Sequence, residues 1–115
     1  WSSSGSYTTD SNAFLFTLTN PSNNPLKLIS YGDPHSLYFS AGGPCFGGGH
    51  NLCISSDSNT QTGSHANAYT SSYESPNGLS GRDAGDFMHN GYAAGLGTGN
   101  FQTVEIEVYL VVWIG

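Results

Sequence analysis

The sequence predicts a mainly β chain, and three observations carry that prediction. Apolar residues fall in short runs rather than in helical repeats, with no helical pattern over the roughly ten residues that would identify an amphipathic helix. Clusters of Gly, Pro, Asn and Ser separate those runs. Near the end, Val104, Ile106, Val108, Leu110, Val112 and Ile114 alternate strictly, which is strand periodicity.

Residues 1–12 read as a polar, turn-rich lead-in. Ala13-Phe14-Leu15-Phe16-Thr17-Leu18-Thr19 follows as a strand, with Phe14, Phe16 and Leu18 at period two inside an apolar run, so that one or both faces are buried. Asn20-Pro21-Ser22-Asn23-Asn24-Pro25 stops it with turn chemistry. Leu26-Lys27-Leu28-Ile29 is a second strand and His35-Ser36-Leu37-Tyr38-Phe39 a third, ended by Ala41-Gly42-Gly43-Pro44. Phe46 and Asn51-Leu52-Cys53-Ile54 are the arms of a hairpin turning on Gly47-Gly48-Gly49. Residues 55–99 are loop-rich, with only short pieces such as 66–69 able to pair, and so long a stretch is where function is expected. The last element is a strand to Ile114 whose second face begins with Glu105 and Glu107 and turns apolar at Tyr109, Val111 and Trp113. Burial on both faces puts such a strand at the centre of a sheet or in a subunit interface.

Composition narrows the function. Charged residues are 9% of the chain, against about 25% in an ordinary soluble domain. The net charge is −6, with Lys27 and Arg82 as the only basic side chains besides histidine. Such a chain cannot neutralise a run of phosphates, so neither nucleic acid nor an anionic membrane surface is an expected partner. No apolar run reaches the ~18 to 20 residues of a membrane span, and none follows a charged leader, so membrane insertion is not expected. The chain starts at Trp1, which reads as a processed or excised product. Its 115 residues allow one domain, and the 37% apolar and 13% aromatic content allows one modest core rich in Phe, Tyr and Trp.

Cys45 and Cys53 stand symmetrically about Gly49, so a hairpin turning there would set the sulfurs opposite each other for a disulfide. The other readings are two small buried thiols, or bridges to cysteines on a segment outside this chain. Low Lys content, many Ser, Asn and Tyr, and an even cysteine count favour a secreted protein.

Three ordered blocks, 12–21 (Asn-Ala-Phe-Leu-Phe-Thr-Leu-Thr-Asn-Pro), 43–54 (Gly-Pro-Cys-Phe-Gly-Gly-Gly-His-Asn-Leu-Cys-Ile) and 101–108 (Phe-Gln-Thr-Val-Glu-Ile-Glu-Val), resemble in order and spacing the TLDc domain. The resemblance implies a two-sheet β-sandwich with long loops and little helix. It also implies an incomplete domain, residues 1 to about 110 matching the later two-thirds, with the first third missing or supplied by a second processed chain. Intracellular TLDc domains are associated with oxidation resistance and with binding a proton pump. The sparse charge and cysteine pair resemble instead the secreted TLDc-like proteins of sea anemones and corals, which include a galactose-binding lectin type. A weaker likeness to intelectins, calcium-dependent sugar binders, rests on Cys45-Phe46-Gly47-Gly48-Gly49 and Gly85-Asp86-Phe87, but Gly42-Gly43-Pro44 stands where their ligands precede the glycines, so no sites carry over.

The strongest polar constellation is 81–92, Gly-Arg-Asp-Ala-Gly-Asp-Phe-Met-His-Asn-Gly-Tyr. Read as a loop, it offers Asp83, Asp86 and Asn90 as the start of the six to eight oxygens that calcium takes. A pyranose could replace two waters on that ion through vicinal hydroxyls, with Arg82 or His89 donating to it and Phe87 or Tyr92 stacking on its C–H face; Tyr69 and Tyr73 are alternative platforms. The competing reading is a solvated loop in which Asp83 pairs with Arg82. Asp57 and Asn59, joined by Glu74 across the fold, form a second candidate metal set. They imitate the start of an EF-hand loop without its Gly or final Glu, and residues of these types more often make Asx turns. His35, His50, His65 and His89 show no zinc-ligand spacing. No triad or placed carboxylate pair supports an enzyme. The expected function is therefore a secreted, calcium-dependent lectin for terminal galactose acting as a homodimer. The alternative is a non-catalytic TLDc interaction module of the oxidation-resistance or proton-pump-binding kind.

Overall fold

The computed structural model describes residues 5–32, 34–40, 43–68, 72–90, 99–110, 112 and 114. In chain order the strands are β1 (Tyr7–Thr8), β2 (Phe14–Thr17), β3 (Leu26–Ile29), β4 (Leu37–Ser40), β5 (Gly43–Phe46), β6 (Leu52–Cys53), β7 (Ser64–Ala66) and β8 (Asn100–Phe101). Among the described residues a short 3-10 turn (Pro76–Gly78) and one α-helix, α1 (Gly81–Met88), stand between β7 and β8. Six strands make an antiparallel sheet in the order β1-β4-β5-β6-β7-β8, and β2 and β3 make a second sheet of two. The fold is mainly β and built on two sheets with little helix, as the sequence predicts.

Leu15 faces Leu28 in the small sheet, and both are buried against the ring of Tyr73, with Ala13, Phe46, Leu52 and Met88 packed around them. Each large side chain so buried contributes about 2 kcal/mol. The inward face of β2 is therefore Leu15 and Thr17, while Phe14, Phe16 and Leu18 lie exposed. A period-two pattern names two faces without saying which one meets the rest of the molecule; here the shorter side chains do. Phe14 finds a partner outside, where Lys27 Nζ sits 4.3 Å from its ring centre. Between β2 and β3, buried Asn20 makes the expected turn: its Oδ1 accepts the Ser22 N–H (2.9 Å) and its Nδ2 donates to the Asn24 carbonyl (2.7 Å).

Three elements differ from the sequence reading. β5 starts at Gly43, so Gly43 and Pro44, read as a terminator, pair with Ser40 and Phe39. Residues 81–88, read as a loop, form α1, because an eight-residue helix is too short to display a repeat that stands out from its glycines. Its Gly85 lies so close to β7 that a Cβ there would fall on the Ala66 carbonyl oxygen. Among the described residues the long terminal strand is reduced to Asn100–Phe101, and Val104, Val108 and Leu110 are at least 90% exposed, while Val111 and Trp113 lie outside the described residues. A strand needs a pairing partner as well as alternation, and none faces residues 104–110 among the described residues.

Candidate functional site

The helix reverses the meaning of the 81–92 constellation. Asp83 is exposed, whereas Asp86, one turn on, is 1% exposed and its Oδ1 accepts the Gly99 N–H at 2.7 Å. Phe87 is buried, so it cannot carry a sugar. His89 ends α1, donates its backbone N–H to the Gly85 carbonyl (3.2 Å), and packs its ring 5.1 Å from that of Phe101. Its Nε2 lies 3.6 Å from Asp86 Oδ1, buried and without a hydrogen-bond partner. Burial holds the His89 pKa below its ordinary value, against the opposing pull of Asp86. Asn90 takes a left-handed backbone just past the helix, where Asn is tolerated, and its N–H donates to the Phe87 carbonyl at 3.3 Å. Of Asp83, Asp86 and Asn90, the second thus directs its carboxylate into the protein, where one oxygen already has a donor. The side chain of Arg82 and all of Tyr92 and Tyr69 lie outside the described residues.

The other candidates also separate. Asp57 has a left-handed backbone and its carbonyl accepts the N–H groups of Thr60 (2.9 Å) and Gln61 (3.1 Å), closing a turn. The Asn59 carbonyl accepts from Gln102 Nε2 at 2.5 Å. Glu74 lies beside β3 instead: its N–H donates to the Ile29 carbonyl at 3.0 Å and its Oε2 accepts the Ile29 N–H at 3.1 Å. Tyr73 is 1% exposed and donates its hydroxyl to the Ser36 carbonyl at 2.7 Å, which makes it a core tyrosine rather than a sugar platform.

Two places do gather chemistry at a surface. One is an open groove of about 530 Å³ lined by Tyr31, Lys27, Glu74 and Asn77, among others. It combines an exposed aromatic ring, a carboxylate, an ammonium and an amide. The other is a rank of side chains across the large sheet. The register pairs Tyr7 with Tyr38, Tyr38 with Cys45, Cys45 with Cys53, Cys53 with His65 and His65 with Asn100. Paired residues share a face, so the rank crosses all six strands. Cys45 and Cys53 are joined by a disulfide, with their Cα atoms 4.1 Å apart. The turn returns His50 over this rank: its N–H donates to the Gly47 carbonyl (3.0 Å), and its ring stacks on Tyr38 at 5.1 Å. Burial and the neighbouring His65 hold the His50 pKa below its ordinary value.

The family model of the TLDc domain matches residues 1–112. The chain belongs to the TLDc domain family. That match takes in nearly the whole chain, and the narrower placement on the later two-thirds of a TLDc domain does not stand with it. No curated protein and no solved structure matches the chain. In this TLDc domain the sequence reading missed the gathering of His50 and His65 on the disulfide. They lie 15 residues apart in no ligand motif, and only the pairing of β6 with β7 brings them together. The symmetric cysteine spacing was the one available signal. The groove had none, since Tyr31 and Glu74 come from distant segments that meet at the bridge between Ser30 and Tyr73.

Proposed function

We propose that this TLDc domain is a secreted, non-catalytic binding module that takes a terminal galactose in the groove of Tyr31, Lys27, Glu74 and Asn77. The observation that carries the reading is the exposed ring of Tyr31 beside a carboxylate and an amide. A galactose lays its C–H face on an aromatic ring and gives hydroxyls to both kinds of polar group. Glu74 is held by its bond to Ile29 and retains acceptor capacity for a sugar hydroxyl. Asn77 supplies both a donor and an acceptor, and Lys27 donates. A groove of this size fits the ordinary range for small-ligand sites, and its openness suits a weak site that works by multivalency in a homodimer. The disulfide suits an oxidising compartment.

Titration calorimetry with lactose tests this. Binding that survives EDTA and falls about two- to tenfold in Tyr31→Ala is expected, a stacked ring being worth roughly 0.5 to 1.5 kcal/mol. Binding abolished by EDTA would return the calcium mechanism, and binding unchanged in Tyr31→Ala would remove the groove. A second reading, a protein-interaction module, is favoured by the exposed apolar side chains of Val104, Val108 and Leu110. Absence of any galactose binding would leave that reading in its place.

A further inference from the structure

We propose that Cys45, Cys53 and His50 become a zinc-type metal site when the disulfide is reduced, with His65 as the fourth ligand. The proposal goes beyond galactose binding and does not rest on it. Among the described residues, Cys45 Sγ, Cys53 Sγ and a His50 ring nitrogen all lie within 4.8 Å of one another, so the three donors already converge. In a tetrahedral site with bonds of about 2.0 to 2.3 Å, neighbouring ligand atoms stand roughly 3.3 to 3.8 Å apart, a short adjustment from this arrangement. His65 occupies the register position next to Cys53, and its ring centre lies 6.1 Å from that of His50. Two thiolates and two imidazoles form a ligand set that zinc prefers.

The scaffold makes the convergence independent of the sulfur–sulfur bond. Backbone pairing of β5 with β6 sets the cysteines opposite each other, and pairing of β6 with β7 adds His65. His50 is aimed by its turn, where Gly47 and His50 both hold positive φ and Ser72 Oγ accepts the Gly48 N–H at 2.8 Å. The stack on Tyr38 fixes the ring. Reduction by a dithiol breaks the S–S bond, leaves a thiol on each cysteine and closes the reductant into its own disulfide. Zinc then forms two bonds to sulfur as each thiol releases one proton. The oxidised chain has no such site, because both sulfurs lack the thiolate lone pairs that bind the metal.

Cobalt(II) is the probe, because its absorption reports both thiolate ligation and tetrahedral geometry. The chain is reduced with a phosphine, which takes the oxygen of one water and passes its two protons to the sulfurs, and is compared with the oxidised chain. One cobalt per reduced chain, with a thiolate charge-transfer band that zinc abolishes, is expected, and none in the oxidised chain. His50→Asn, which tolerates the same left-handed backbone, is expected to keep the thiolate band and to weaken binding at least about tenfold, since even outer-shell losses do as much. His65→Ala is expected to weaken it as well. Equal uptake in oxidised and reduced chains overturns the proposal, as does His50→Asn with affinity and spectrum unchanged. A reduced chain that loses its circular dichroism and takes up no cobalt overturns it too. Persisting uptake in Cys45→Ala/Cys53→Ala does the same, and the folded oxidised chain serves as the thiol-free control should that variant not fold.

Discussion

Asp86 and His89 behave as structural residues whose chemistry is directed inward. The Asp86 carboxylate holds the Gly99 N–H in a site 1% exposed, and a hydrogen bond to a charged group is worth about 1.5 to 3 kcal/mol. Asp86→Ala is expected to lower the unfolding free energy by about that much in urea, whereas Asp86→Asn, which keeps an acceptor, loses less. His89 adds a pH dependence. Its folded pKa lies below the ordinary value, so as the pH falls through the imidazole range the unfolded chain takes up its proton first and stability drops. The loss is complete only below the lowered folded value. Thermal midpoints between about pH 8 and about pH 5 should fall in the wild type and fall less in His89→Leu, with the remainder due in part to His50, whose pKa is displaced the same way. Residue types in 81–92 were legible as polar and metal-competent; the surroundings of Asp83 and Asp86 were not, because positions one turn apart share a helix face and only the segment that brings Gly99 against α1 buries Asp86 while Asp83 stays exposed.

Elements with a strong local signal were legible, and those that depend on distant partners were not. The hairpin of β5 and β6 turns about the glycines as the cysteine spacing predicts, with Cys45 opposite Cys53. Its disulfide closes a short loop, for which chain-entropy arguments give about 2.5 kcal/mol, so reduction in the absence of metal should lower the denaturation midpoint by that equivalent. The helix was hidden by its own glycines. Gly85 is there because α1 lies against β7, and Gly85→Ala should cost about 1 to 3 kcal/mol by forcing that backbone contact apart. Hydrogen exchange would show the loss concentrated in α1 and β7 rather than in the small sheet. An unchanged stability would mean that helix and sheet separate without cost.

At the scale of the whole molecule, the core is small and the apolar surface is large. Leu15, Leu28 and Tyr73 form the buried cluster, while Val104, Val108 and Leu110 remain exposed. Ile106, Glu107 and Val108 line an apolar pocket of about 320 Å³ together with Pro44, Phe46 and Ile54. Exposed alternating apolar residues favour pairing with another chain, which is where the proposed homodimer would form. Sedimentation of the wild type should show concentration-dependent association, and Val108→Ser/Leu110→Ser should abolish it without altering the circular dichroism, since both side chains are at least 90% exposed. A wild type that stays monomeric throughout would remove the dimer.

The sequence by itself determined the mainly β class, the turns after β2 and within the β5–β6 hairpin, the pairing of the two cysteines as one of three readings, and the sparse, acidic charge. These follow from local chemistry: side-chain periodicity, Asn and Gly backbone preferences, and net charge. Tertiary structure alone decided which face of β2 is inside, that 81–88 is a helix with Asp86 buried, that 104–110 lacks a strand partner, and that His50 and His65 meet at the disulfide. Each of these depends on which distant segment lies alongside, and a period or a residue type carries no record of that neighbour.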